Sequence, residues 1–146
     1  MTNAPEKIPT IQGVLATALY VEDLDRSAQF FRRVFGFEML EREENYLALR
    51  LDHQRILLLK KRGTHECPIH VAGGVIPPAE GEGSLHLAFA VAAHELEDWI
   101  EKFKALEIPI ESRINWKKGG AKSVYLRDPD DNCIEIMTPG VWDFRN

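Results

Sequence analysis

A histidine and a glutamate in two strand-like segments are the residues of this sequence best suited to chemistry. Strict alternation puts His86 on one strand face with Ala88 and Ala90, so that face is nearly bare and leaves open volume above it. Glu135 alternates with isoleucines in the sequence CIEIM, where a carboxylate must pair with a cation, bind a metal or stay protonated. Imidazole and carboxylate are common ligands of divalent cations, so the pair predicts a metal site. The alternative is a hydrogen-bonded core histidine and a glutamate at a solvated edge.

Other polar groups surround these two in the sequence. Tyr125 and Arg127 alternate onto one strand face, and on the face of Glu135 they would orient a substrate carboxylate. Arg127 has a second interpretation, in which it braces the turn that begins at Asp128. The lysine- and glycine-rich segment 116–122 is suited to holding an anion at a cavity mouth, or to forming a solvated hairpin turn.

The elements that must position these residues occur twice in the same order. The first copy is predicted as a strand at 14–21, a helix over 24–35 closed by Gly36, and strands at 37–41, 46–51 and 55–60. The second is predicted as a strand at 84–91, a helix over 96–106, and strands at 108–115, 122–127 and 132–138. The copies align at a constant offset that places Ala16 opposite His86 and Val21 opposite Val91. The repeat predicts two β-α-β-β-β modules.

The segment between the copies is rich in glycine and proline, which predicts a long loop over 61–83 that links the modules and is able to cover a site. We therefore predict a single α+β domain over 1–146. Its parts are module one at about 13–60, the linker at 61–83 and module two at about 84–140.

Composition excludes several classes of protein. With 146 residues, 45% of them apolar and 28% charged, the chain has the size and balance of one soluble globular domain. Eighteen basic against 23 acidic residues give a net charge of −5, so a small molecule is a better partner than nucleic acid. Two isolated cysteines indicate no disulfide framework and favour the cytoplasm. The sequence shows no signal peptide and no apolar run long enough to span a membrane.

Three stretches resemble the vicinal oxygen chelate superfamily, which includes glyoxalase I, fosfomycin-resistance enzymes, extradiol dioxygenases and bleomycin-resistance proteins. They are ATALYVEDLDRSAQFFRRVFGFEML, GSLHLAFAV and SVYLRDPDDNCIEIMTPGVW, and the resemblance covers roughly 13–142. It implies paired β-α-β-β-β modules that form a curved, mostly antiparallel sheet around a cavity, with the helices outside. It also implies a homodimer, and it leaves open whether the site closes within one chain or across two.

The resemblance further implies metal ligands at His86 and Glu135. The ligand expected on the first strand falls on Ala16, which has no donor atom, and the extra carboxylate of glyoxalase-type members falls near Leu58, which argues against a glyoxalase I. A third ligand would come from segment 65–70, which contains two histidines, a glutamate and a cysteine, or from water. The ion is left open among Fe, Mn, Zn, Ni and Mg, as is a site without metal.

The first functional prediction is therefore a divalent-metal-dependent enzyme of dioxygenase, lyase or isomerase type that acts on a small molecule with vicinal oxygens. Glu135 and Tyr125 are its predicted catalytic residues, and His86 and Glu135 its metal ligands. The alternative is a metal-free protein that binds or sequesters a small molecule, as bleomycin-resistance proteins do, and Ala16 and Leu58 favour it. A third hypothesis is an interaction module without chemistry.

Overall fold

The computed structural model describes residues 7–142 and 144, and over these residues the chain forms two four-stranded sheets, a two-stranded hairpin and two α-helices. Module one comprises β1 (Ala16–Val21), α1 (Leu24–Phe35), β2 (Glu38–Arg42), β3 (Tyr46–Arg50) and β4 (Ile56–Lys61). The hairpin comprises β5 (Ile69–Val71) and β6 (Gly74–Ile76). Module two comprises β7 (His86–Ala90), α2 (Leu96–Ala105), β8 (Ser112–Asn115), β9 (Lys122–Arg127) and β10 (Cys133–Met137). The predicted α+β class and the two β-α-β-β-β modules are confirmed.

Both sheets have the same topology. The strand orders are β1-β4-β3-β2 and β7-β10-β9-β8. The first and last strands of each module pair in parallel, and the remaining pairs are antiparallel. Helix α1 leads from β1 to β2, and α2 leads from β7 to β8, and in each case the two strands lie at opposite edges of their sheet. The prediction of mostly antiparallel sheet is confirmed.

Helix α1 begins and ends where its sequence predicts. The Asp23 carboxylate accepts the backbone N–H of Arg26 at 3.0 Å and caps the first turn. Gly36 ends the helix with φ of 74°, a left-handed conformation in which glycine has no Cβ penalty. Its apolar face, which includes Phe31 and Phe35, is buried against the sheet.

Aromatic side chains join the two modules. Phe35 of α1 lies with its ring centroid 5.1 Å from Phe89 of β7, 5.8 Å from Trp99 and 6.1 Å from Phe103. These residues form one hydrophobic core that both helices share. The core lies on the helix-covered faces, and the opposite face of the second sheet carries the side chains of His86 and Glu135.

A polar contact supports the same junction. Asp130, in the turn between β9 and β10, accepts the backbone N–H of Glu22 at 2.9 Å. Its Oδ1 also lies 3.7 Å from the Arg62 guanidinium, and the Asp130 side chain is almost fully buried. Residues far apart in the chain thus clamp the N-terminus of α1 to module two.

The linker departs from prediction, because 61–83 is not loop throughout. Ile69 pairs with Ile76 and Val71 with Gly74 across a short turn. β-Branched residues favour the extended backbone, and Gly74, where β6 begins, has φ of 151°, a conformation that favours glycine. Gly73 and Gly74 both lie at this turn, and such glycines also occur in loops, which is why the segment was predicted to be a loop. None of the helices in the described part of the chain is both long and apolar enough to span a membrane.

Candidate functional site

The candidate site lies on the face of the second sheet that α2 does not cover. On β10, Ile134 and Ile136 are fully buried on the helix side, so alternation directs Glu135 to the other face. β7 runs parallel to β10, with His86 paired to Cys133 and Ala88 paired to Glu135. His86 and Glu135 are therefore diagonal neighbours on adjacent strands.

These two side chains are in contact. His86 Nε2 lies 2.8 Å from Glu135 Oε1. The His86 side chain is 58% exposed and that of Glu135 is 5% exposed. This is the reverse of the alternative of a core histidine and a solvated glutamate, because here the carboxylate is buried and the imidazole faces solvent. A buried carboxylate is stable when its oxygens are hydrogen-bonded, and His86 supplies one partner.

Ser123 supplies the other partner, and sequence reasoning missed it. Its hydroxyl donates to Glu135 Oε2 at 2.6 Å, and the indole N–H of Trp116 donates to Ser123 Oγ at 2.8 Å. Ser123 is 1% exposed. Alternation on β9 puts Ser123 on the same face as Tyr125, which was a signal available in the sequence.

Tyr125 lies beside the carboxylate, as the sequence predicted. It pairs directly with Glu135 across β9 and β10, and its ring centroid is 6.3 Å from that of His86. Burial raises the pKa of the Tyr125 phenol, and the negative charge of Glu135 raises it further. The phenol therefore stays protonated near neutral pH and is a hydrogen-bond donor at the site.

Arg127 is used elsewhere. Its guanidinium contacts Glu111 at 3.0 Å and donates to the backbone carbonyl of Asp131 at 3.1 Å. The Glu111 hydrogen bond raises the pKa of Arg127. Arg127 thus braces the turn after β9, the second of the two interpretations offered above, and it does not join Tyr125 as a substrate ligand.

The residues present fit a metal site with two protein ligands. Two atoms bound at about 2.0–2.2 Å to one ion in adjacent positions lie near the separation that His86 Nε2 and Glu135 Oε1 show. Across 7–142 and 144, however, no group of three or more histidine, cysteine, aspartate and glutamate side chains is placed to hold an ion. A three-ligand site within the described chain is therefore not formed.

The residues considered as a third ligand lie outside the second sheet, which carries this pair. Ala16 is paired with Ile56 and Ala18 with Leu58, on the first sheet. In segment 65–70, His65 is buried with its Nδ1 3.4 Å from Lys60 Nζ, and His70 is exposed on the hairpin. The structure does not bring either histidine to Glu135.

A groove runs along the outer edge of β7, between the modules. It has a volume of about 620 Å³ and is lined by Phe37, Arg50, Arg55, Ala88 and Ala90 among others. His86 and Glu135 do not line it. The candidate site is therefore an open face beside this groove, not an enclosed cavity within the described chain.

Comparisons with known proteins agree with this geometry. Residues 13–136 match the family model of the Glyoxalase/Bleomycin resistance protein/Dioxygenase superfamily. The fosfomycin resistance protein FosX of Listeria innocua is 27% identical over 131 residues, which are 86% of this chain and 89% of that protein. The catechol-2,3-dioxygenase of Bacillus subtilis is 33% identical over 81% of this chain and 38% of its own length. The crystal structure of a lactoylglutathione lyase from Agrobacterium tumefaciens is 32% identical, with a TM-score of 0.82, and covers 93% of this chain and 100% of that one.

Proposed function

Because the chain belongs to the Glyoxalase/Bleomycin resistance protein/Dioxygenase superfamily, we propose that it is an enzyme acting on a small molecule with neighbouring oxygen atoms, with a divalent cation held by His86 and Glu135. The observation that carries the proposal is the 2.8 Å approach of His86 Nε2 to Glu135 Oε1 on an open sheet face. Held by these two residues, such a cation would supply Lewis-acid activation of substrate oxygens.

The protein groups have separate roles in this proposal. Glu135 is buried and supplies the negative charge that holds a cation, while His86 is exposed on the substrate side. Tyr125 keeps its phenolic proton and donates a hydrogen bond to a substrate oxygen next to the pair. Alanines at 88 and 90 leave room on the same strand face.

The reaction class is chosen among those that the relatives' names give. These are fosfomycin resistance, catechol dioxygenation and lactoylglutathione lyase activity. Fosfomycin, catechol and lactoylglutathione are therefore the first compounds to assay. Fosfomycin is the first to assay, because Leu58 replaces the extra carboxylate expected of glyoxalase-type members, and because the catechol dioxygenase is matched over only 38% of its length against 89% for FosX.

A homodimer is part of the proposal. Within 7–142 and 144, β1 and β7 each have an edge to which no strand is hydrogen-bonded. Exposed large apolar residues lie on the segment before β1 and on the hairpin: Ile8, Ile11, Val14, Leu15, Val71 and Val75. A second copy that covers these residues would shield the unpaired strand edges and bury the exposed apolar side chains.

Cys67 and Cys133 are free thiols, which supports a cytoplasmic location.

Calorimetric titration with Mn²⁺, Ni²⁺ and Zn²⁺ tests the metal site. The wild type should bind one ion per protein chain. His86→Ala and Glu135→Gln should each lose most of the affinity for the ion. His94→Ala is the matched control, because His94 is exposed and its side chain contacts Glu95, at 4.0 Å, and not Glu135. Equal binding by the wild type and Glu135→Gln would contradict the proposal.

A metal-free binding protein is the second candidate. It is favoured by Ala16 and Leu58, which put no donors on the first sheet where the second sheet has His86 and Glu135. Binding of a small ligand that is unchanged in the presence of a chelator, by a wild type that takes up no metal, would support it over the enzyme.

A further inference from the structure

The hydrogen bonds around Glu135 have one possible direction. An indole N–H can only donate, so the Trp116 contact uses Ser123 Oγ as an acceptor. A serine hydroxyl has one proton, and here it is free to point at Glu135 Oε2. The 2.6 Å distance is that of a short, strong hydrogen bond between a hydroxyl and a carboxyl oxygen. The chain of donors therefore runs from Trp116 through Ser123 to Glu135.

This direction determines what each carboxylate oxygen is able to do. Oε2 is taken by Ser123, so Oε1 is the oxygen directed at His86. Ser123 and Glu135 are both buried, so the hydrogen bond between them does not compete with bulk water. With Oε1 as the acceptor, the contact requires a proton on His86 Nε2 in the metal-free protein, and a cation that binds Nε2 must displace that proton.

The loop that carries Trp116 is held in place by glycines. A Cβ on Gly119 would lie 2.1 Å from the backbone oxygen of Gly140, and Gly119 has φ of 67°. Glycine is required at such a contact, since any side chain would displace the C-terminal segment. The Trp116 backbone N–H also donates to Ala121 at 2.9 Å. The indole is thus fixed relative to β9.

We propose that Trp116 and Ser123 are positioning residues, which hold the Glu135 carboxyl group in one orientation and aim its Oε1 at His86, so that the two form a pre-arranged ligand pair for a divalent cation. The inference rests on the proposed function for its metal, but the arrangement of the side chains exists without metal. Supporting groups of this kind change metal affinity typically by about 10- to 100-fold.

Metal affinity is the first readout, measured by titration with Mn²⁺. Ser123→Ala should weaken Mn²⁺ binding about 10- to 100-fold. Ser123→Thr keeps the hydroxyl, so its affinity should stay close to that of the wild type. Trp116→Phe, which removes one neutral hydrogen bond, should weaken binding about fivefold. The matched controls are Ser27→Ala, a buried serine in α1, and Trp142→Phe, an exposed tryptophan, and both should bind as the wild type does.

The state of the His86 ring in metal-free protein is the second readout, followed by NMR of the ring nitrogens. The wild type should show the proton on Nε2, and Ser123→Ala should shift the ring toward a mixture of the two tautomers. Retention of the wild-type ring signals and of the wild-type affinity in Ser123→Ala would overturn the inference. If the wild type binds no cation, the proposed metal function fails, and the ring signals alone decide whether Ser123 positions Glu135. Should Ser123→Ala not fold, Trp116→Phe and Ser123→Thr still test the same chain of donors.

Discussion

Leu58 occupies in the first sheet the position that Glu135 occupies in the second. Leu58 pairs in parallel with Ala18, as Glu135 pairs with Ala88, and the two alanines are equivalent in the internal repeat. Ala16 is likewise the equivalent of His86. The two modules therefore share one backbone plan, while module two alone has the donor pair.

Replacing Ala16 with histidine should strengthen metal binding. The resemblance to the superfamily places a third ligand at this residue, and three protein ligands are usual for a catalytic ion. Because Ala16 lies on the first sheet, its replacement would reach the pair across the two sheets, either within one chain or from a second copy. We expect Ala16→His to raise the Mn²⁺ affinity by at least about tenfold with the stoichiometry unchanged, as measured by calorimetry. Binding of a second equivalent would instead show that each module acts separately. Thr17→His, one residue along and on the opposite strand face, is the control and should have no effect.

Removing the Asp130 carboxylate should destabilise the junction between the modules. Asp130 accepts the Glu22 N–H and lies near the Arg62 guanidinium, and it is almost fully buried. Loss of a charged hydrogen-bond acceptor costs about 1.5–3 kcal/mol, so Asp130→Ala should lower the free energy of unfolding by about that amount in urea denaturation.

Asp98→Ala, at an exposed position on α2, should change that free energy by less than about 1 kcal/mol. Equal effects of the two substitutions would mean that the Asp130 contacts do not stabilise the junction.

Ser27→Ala should stabilise the protein. Ser27 is fully buried in α1, and its Oγ has no hydrogen-bond partner among the residues that the structure describes. Removing an unsatisfied buried hydroxyl, together with the higher helix propensity of alanine, should raise the free energy of unfolding by about 0.5–2 kcal/mol. Thermal and urea unfolding measure this, and a lower stability would indicate that the hydroxyl has a bound partner such as water.

The hydrogen bond between the Glu80 carboxylate and the His65 backbone N–H should depend on pH. Its Oε1 accepts the His65 backbone N–H at 2.9 Å, and this hydrogen bond lowers the pKa of Glu80 below its ordinary value of 4.5. A lowered pKa in the folded state means that the contact is fully present above the ordinary pKa and is lost as the pH falls through the folded-state pKa.

The amide proton shift of His65 should therefore titrate with a midpoint below 4.5, and Glu80→Gln should abolish the titration. A midpoint at or above the ordinary value would show that the carboxylate does not hold the linker to His65.

Local pattern predicted most of the fold. The repeat, the faces of β7 and β10, and the ends of α1 follow from alternation, helical spacing and capping residues. The hairpin within the linker was missed because glycines at its turn resemble the glycines of a loop. Ser123 and Trp116 were missed because their roles depend on contacts across strands, which one strand's sequence does not specify. Asp130 was read as part of a turn, since its partner Glu22 lies 108 residues away.

Elemental analysis of the native protein tests the central claim most directly. Wild type purified without a histidine tag or chelator should carry close to one divalent ion per protein chain. A His86→Ala, Glu135→Ala double variant prepared in parallel should carry none. The ion found would then narrow the reaction class. A wild type that stays free of metal after incubation with excess divalent ions, or a double variant that retains the same metal content, would contradict the account.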